Sequence, residues 1–176
     1  MNNRFETKLN ESEQKMPTVI KLLKENYPNT KFKLIDKLGD RADRELSCDL
    51  ITENDFTQKQ ESWAIKVREP KYESFNDVTV EYKNAVGTQY EKNGDWWRFR
   101  GGVVNIYVYG WSNGKTRLLV IDIKKMMTIP LDKWTNPIQN YVWGRSNFKA
   151  IKVSVLFEYN VILKEIIYKS PINNGD

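Results

Sequence analysis

The sequence predicts a single α/β or α+β domain with a central mixed sheet of about five or more strands flanked by helices. Three observations carry this expectation. One apolar stripe at helical spacing stands near the start, a series of period-two segments follows it, and short pieces of both kinds come last. With 176 residues, 40% hydrophobic and 29% charged, the chain suits one globular domain, 1–176, with a sizeable core. Residues 1–10 and 170–176 are expected to be flexible.

The elements follow in order. Met16, Val19, Ile20, Leu23 and Tyr27 recur every three or four residues, which puts them on one face of a helix that Pro28 closes. Pro17 is tolerated only in the first turn, so the residues before it are expected to form a separate turn. "KFKLI" (31–35) and "LSCDLI" (46–51) then flank the charged loop "DKLGDRADRE" as strands. "SWAIKVR" (62–68) and "DVTVEYK" (77–83) alternate with period two. After a connection containing Trp96 and Trp97, "VVNIYVYGW" (103–111) and "TRLLVIDI" (116–123) are joined by the hairpin turn "SNGK". "IPLDKW" predicts a helical turn and "FKAIKV" a strand, while 153–168 is compatible with either.

Composition prunes the chemistry. The chain has no histidine and a single cysteine, Cys48, so the usual zinc sites and the Ser-His or Cys-His nucleophile pairs are excluded. A catalytic metal would have to sit on carboxylates and carbonyls, which favours Mg²⁺, Mn²⁺ or Ca²⁺. Nothing approaches the roughly 20 apolar residues of a membrane span. The segment "MNNRFETKLNESEQK" has no apolar stretch of the secretory kind, and one cysteine suits a reducing compartment, so a cytoplasmic protein is expected. Lys plus Arg outnumber Asp plus Glu by 28 to 23, a net charge of +5 that favours nucleic acid as a partner.

The residues with chemical potential lie on "CDLI" and "SWAIKVR". Alternation puts Trp63, Ile65 and Val67 on one face of their strand, and Ala64, Lys66 and Arg68 on the other. Asp49 stands on the preceding strand, and a hairpin joining the two would bring Asp49 and Lys66 to the same side. The plainest reading of such a pair is a surface cross-strand ion pair worth under about 1 kcal/mol.

Helix, strand, "CDLI", hairpin and "WAIKVR", over roughly residues 12 to 125, resemble the PD-(D/E)xK, or restriction-endonuclease-like, nuclease superfamily. There an acid on one strand precedes an acid-x-Lys tripeptide on the next. "DLI…WAIKVREPKY…VTVEY" is similar to uncharacterised phage-encoded proteins. The resemblance implies a nuclease-like fold and Mg²⁺-dependent hydrolysis of DNA, with Asp49 as the first acid and Lys66 as the lysine that neutralises developing charge. Ala64 stands where the second acid belongs, and it has no ligand atom.

Several residues could supply the missing acid. Parity puts Glu61 with Trp63 on the far face unless a bulge intervenes. Glu81 shares one face of "DVTVEYK" with Asp77 and Thr79, and completes a metal pair with Asp49 if that strand pairs with "SWAIKVR". Glu13 lies where the superfamily often carries a further acid. An inactivating substitution at position 64 is a fourth explanation. Arg68, Lys71 and Tyr72 in "REPKYES" form a candidate phosphate-contacting loop. Trp97, Arg98 and Arg100 in "GDWWRFRGG" mix aromatic and basic groups suited to unpaired bases, unless both tryptophans tuck into the core.

Two functions therefore compete: a Mg²⁺-dependent DNA endonuclease using Asp49, Lys66 and Glu81, and a non-cutting relative that binds nucleic acid or inhibits a host defence protein. An assembly protein whose six tryptophans pack an interface, as in a homodimer, is a third.

Overall fold

The structure is a computed structural model, and it describes residues 16–35, 48–89, 91–113, 115–140 and 146–169. Residues 1–10, Glu13, the loop "DKLGDRADRE", Leu46, Ser47 and 170–176 lie outside the described residues.

Helix α1 covers 16–26 with Pro17 in its first turn, and the helix ends just ahead of Pro28. Its apolar stripe is buried through Val19, Leu22 and Leu23. Three strands then form a meander: β1 (Thr30–Leu34), β2 (Leu50–Asn54) and β3 (Gln60–Arg68), each antiparallel to the next. The β2–β3 turn is fixed by Asn54, whose Oδ1 accepts the N–H groups of Phe56 and Thr57.

The chain then leaves this sheet. A 3₁₀ turn (Pro70–Phe75), β4 (Asp77–Asn84), the short β5 (Lys92–Asn93) and helix α2 (Asp95–Arg100) intervene before β6 (Ile106–Asn113), which returns beside β3 and runs parallel to it. Strand β7 (Lys115–Asp122) pairs antiparallel with β6, and α3 (Ile123–Met126) follows, with Asp122 as its N-cap. A second 3₁₀ turn (Leu131–Lys133), β8 (Ile138–Asn140), β9 (Ser146–Lys152), α4 (Val153–Glu158) and β10 (Ile162–Lys169) complete the order. The segment 153–168 thus contains both a helix and a strand.

Two sheets result. The larger is mixed and six-stranded, in the order β1-β2-β3-β6-β7-β10, and the smaller has the order β5-β4-β9-β8. Both faces of the larger sheet are covered at its centre, which is why β6 and β7 read as near-continuous apolar runs. Leu50, Trp63, Ile106, Val108, Leu118 and Val120 pack with α1. Ala64, Tyr107, Tyr109, Trp111, Leu119 and Ile121 form a second core with Val78, Val80, Trp96 and Ile151. Gly110 of β6 is required by close approach, since a Cβ there would come within 2.3 Å of the Arg117 carbonyl oxygen. No helix of the described residues is long and apolar enough to cross a membrane.

Candidate functional site

The parallel register of β3 and β6 decides what surrounds Lys66. Ala64 pairs with Tyr107, Lys66 with Tyr109, and Arg68 with Trp111, so these side chains share the face that looks toward the smaller sheet. Ala64 is only 5% exposed and belongs to that core, while Lys66 and Arg68 are half-buried.

Asp49 stands just before β2. The β2–β3 ladder reaches Leu50 opposite Trp63; beyond it the Asp49 amide donates to the Trp63 carbonyl. The Asp49 carboxylate then accepts the Ile65 N–H at 2.7 Å, doing the work of a backbone carbonyl. Leu50 packs with Trp63 on the α1 side, so strand alternation turns Asp49 toward the opposite face, the one that carries Ala64 and Lys66. Asp49 and Lys66 are therefore on the same side of an antiparallel hairpin, as the alternation predicts.

Glu81 arrives by a different route from the one considered above. Strand β4 does not pair with β3; it pairs with β5 and β9 in the smaller sheet. Period-two alternation identifies a strand, but it cannot say which sheet receives it. Glu81 nevertheless feels the charges of the larger sheet. Burial raises its carboxyl above the ordinary range; Lys66 opposes that shift, Asp95 adds to it, and Lys92 and Arg98 oppose it. Gly94, the N-cap of α2, is in close contact with Glu81, since a Cβ there would stand 2.5 Å from the Glu81 carbonyl oxygen. That absence of a side chain lets α2 bring Asp95 and Arg98 beside Glu81.

A polar network ties the sheets together next to this group. The hydroxyls of Thr79 and Tyr109 are 3.0 Å apart, and Tyr107 donates to the Thr79 carbonyl at 3.1 Å. Arg68 donates to both hydroxyls, at 3.4 and 3.2 Å, and its guanidinium lies 4.2 Å from the Tyr72 ring centre. Burial pushes the Tyr107 and Tyr109 hydroxyls up, so they remain protonated donors. Sequence reasoning passed over Thr79, Tyr107 and Tyr109, although "IYVYGW" carries a signal: Tyr107, Tyr109 and Trp111 alternate on one face, polar-tipped aromatics where an aliphatic core would need no hydroxyls.

The remaining candidates separate. Lys71 pairs with Glu69 at 2.6 Å and stays exposed, while Tyr72 stacks on Phe75 with ring centres 6.3 Å apart. "DWWRFR" is helix α2 rather than a loop, and it divides its tryptophans. Trp96 is buried at 3% exposure edge-on against Trp134, whereas Trp97 is 41% exposed against Tyr82. Arg98 pairs with Asp95 at 3.2 Å, and Arg100 is exposed.

The donors fit a metal centre incompletely. Among the described residues no three carboxylate, cysteine or histidine side chains converge. Ala64 offers no ligand atom, and one Asp49 oxygen is engaged by the Ile65 amide. A Mg²⁺ ion held by only one or two carboxylates needs phosphate oxygens and water to complete its shell.

No protein-family model, curated protein or solved structure matches the chain.

Proposed function

We propose that this chain is a nucleic-acid-binding protein, with DNA as its first candidate ligand, built on a nuclease-like scaffold that does not cut. One observation carries the reading. Beside Asp49, where a second carboxylate would meet it, stands the buried methyl group of Ala64, and the Asp49 carboxylate serves the backbone amide of Ile65 instead. The acid-bearing strand precedes the lysine-bearing one behind a helix, as the PD-(D/E)xK resemblance requires, which supports the scaffold. The net charge of +5, the exposed Arg100 and Lys71, and the exposed ring of Trp97 support binding.

A second reading, Mg²⁺- or Mn²⁺-dependent phosphodiester hydrolysis, has its own observation: the Lys66 charge acts on the half-buried Glu81 carboxyl. In that reading Asp49 and Glu81 would hold the ion, and Lys66 would stabilise charge on the phosphate.

One experiment separates them. Duplex and single-stranded DNA are incubated with the native protein and with Ala64→Glu, in Mg²⁺, in Mn²⁺ and in EDTA, while binding is followed as salt rises. The expected result is binding that weakens steeply with salt, with no cleavage by the native protein. Metal-dependent cleavage by the native protein that is lost in Asp49→Ala and Glu81→Ala would establish hydrolysis instead. Absence of binding at low salt would leave a protein-binding role.

A further inference from the structure

A cleft of about 370 Å³ lies at the end of β3 away from Arg68, outside the Asp49–Lys66–Glu81 group. The start of β3, the end of α2, the start of α3 and the segment entering β6 enclose it. Phe99 and Met127 contribute apolar surface, and Lys59, Arg100 and Lys124 contribute cations. Two carboxylates also line it, and both are committed. Glu61 pairs with Lys59 at 2.6 Å, and Asp122 accepts the Lys125 N–H that begins α3. Arg100 and Lys124 are exposed and have no carboxylate partner among the described residues. The cleft lining thus carries three cations against two carboxylates, with Arg100 and Lys124 outside any ion pair among the described residues.

We propose that this cleft holds one unpaired nucleotide of a single strand lying along α2. The inference rests on the nucleic-acid-binding reading and names the form of ligand. Helix α2 buries Trp96 and Phe99, three residues apart, and exposes Trp97 and Arg100, also three apart. Such neighbours stand about 5–6 Å from each other on a helix. A base stacked on Trp97 thus delivers the adjoining phosphate to Arg100, at the mouth of the cleft. The guanidinium binds that phosphate through paired N–H donors, and Lys124 adds a second charge. The next base enters against Met127, which is half-buried in the cleft wall. Gly102, which lines the cleft with a φ of +70°, faces open space, since no atom lies within 4 Å of where its Cβ would stand. The volume is at the small end of ligand pockets, roughly 300–1,000 Å³, which admits one nucleotide and not a base pair.

The test uses the whole chain. A deoxynucleoside 5′-monophosphate, the corresponding deoxynucleoside, inorganic phosphate, and single- and double-stranded oligonucleotides of equal length are titrated against the native protein and against Arg100→Ala/Lys124→Ala. Urea unfolding of the variant confirms that it remains folded. The monophosphate is expected to bind more tightly than either fragment. The variant should lose about tenfold or more in affinity for the monophosphate and the single strand, the scale of a lost charge-assisted contact. A monophosphate bound no better than inorganic phosphate would reduce the cleft to a simple anion patch and overturn the proposal. Single-strand binding that the variant leaves unchanged would overturn the cleft alone and leave the binding function standing. Failure to bind either oligonucleotide would overturn both.

Discussion

Restoring a carboxylate at position 64 tests the site most directly. Ala64 is 5% exposed, shares the inner face with Tyr107, and lies beside the strand that delivers Asp49. Cross-strand neighbours on one face stand about 4.5–5.5 Å apart, so the new carboxylate falls roughly 5 Å from Asp49. At an effective dielectric constant of about 20 the repulsion is roughly 3 kcal/mol. The larger side chain adds overpacking of about 1–3 kcal/mol. Ala64→Glu should therefore be about 4–6 kcal/mol less stable than the native protein in EDTA. Adding Asp49→Asn, which keeps an acceptor for the Ile65 N–H, should return the roughly 3 kcal/mol that is electrostatic. A divalent ion held between the two carboxylates would stabilise the single variant by about 2.7 kcal/mol at a hundred times its dissociation constant. The assay is urea unfolding at pH 7 on the four proteins of the cycle, each in EDTA and in Mn²⁺. A coupling energy below about 0.5 kcal/mol would show that Asp49 does not face position 64 and refute the reasoning.

Four further substitutions test the same geometry. Burial raises the Glu81 carboxyl, so the stability tied to its neutral form is complete below the ordinary carboxylate range and is lost as pH rises through the raised value. Glu81→Gln should thus be more stable than the native protein at pH 7, with the gap closing as pH falls toward about 4; equal stability at both pH values would contradict this. Trp96→Ala should cost about 3–5 kcal/mol in unfolding experiments. By contrast Trp97→Ala should change stability little but weaken single-strand binding by about 1–3 kcal/mol. Gly94→Ala should destabilise by about 1–3 kcal/mol, because the added methyl group meets Glu81 backbone atoms at 2.5 and 2.7 Å; an unchanged denaturation midpoint would disprove the close approach.

Local patterns read well from the sequence, and long-range partnerships did not. The stripe Val19, Ile20, Leu23 and the alternation of "SWAIKVR" are direct records of burial on one face, and α1 and β3 formed where they stand. The sheet that receives β4 was not legible, because pairing Glu81 with Phe148 is decided by residues far along the chain. Helix α2 was missed because two adjacent tryptophans suggest a buried loop. The three-residue spacing of Trp96 and Phe99 was the available signal. The segment 153–168 defied a single assignment because it contains Leu156 in a helical turn and Ile166 in a strand, both buried.

The parallel return of β6 beside β3 bears on the order of folding. The β2–β3 and β6–β7 hairpins each close through short loops, so each can form early, whereas residues 35–49 separate β1 from β2. Joining them side by side requires the whole segment from 69 to 105 to loop out. That segment contains β4, which is pinned along most of its length only when β9 arrives at 146–152. On a ribosome the strand bearing Lys66 emerges long before the partner that fixes Glu81 opposite it. Until β9 arrives, β4 is held only by the short β5 and by its contacts with the larger sheet, so the wall carrying Glu81 is incomplete in a chain halted after β7.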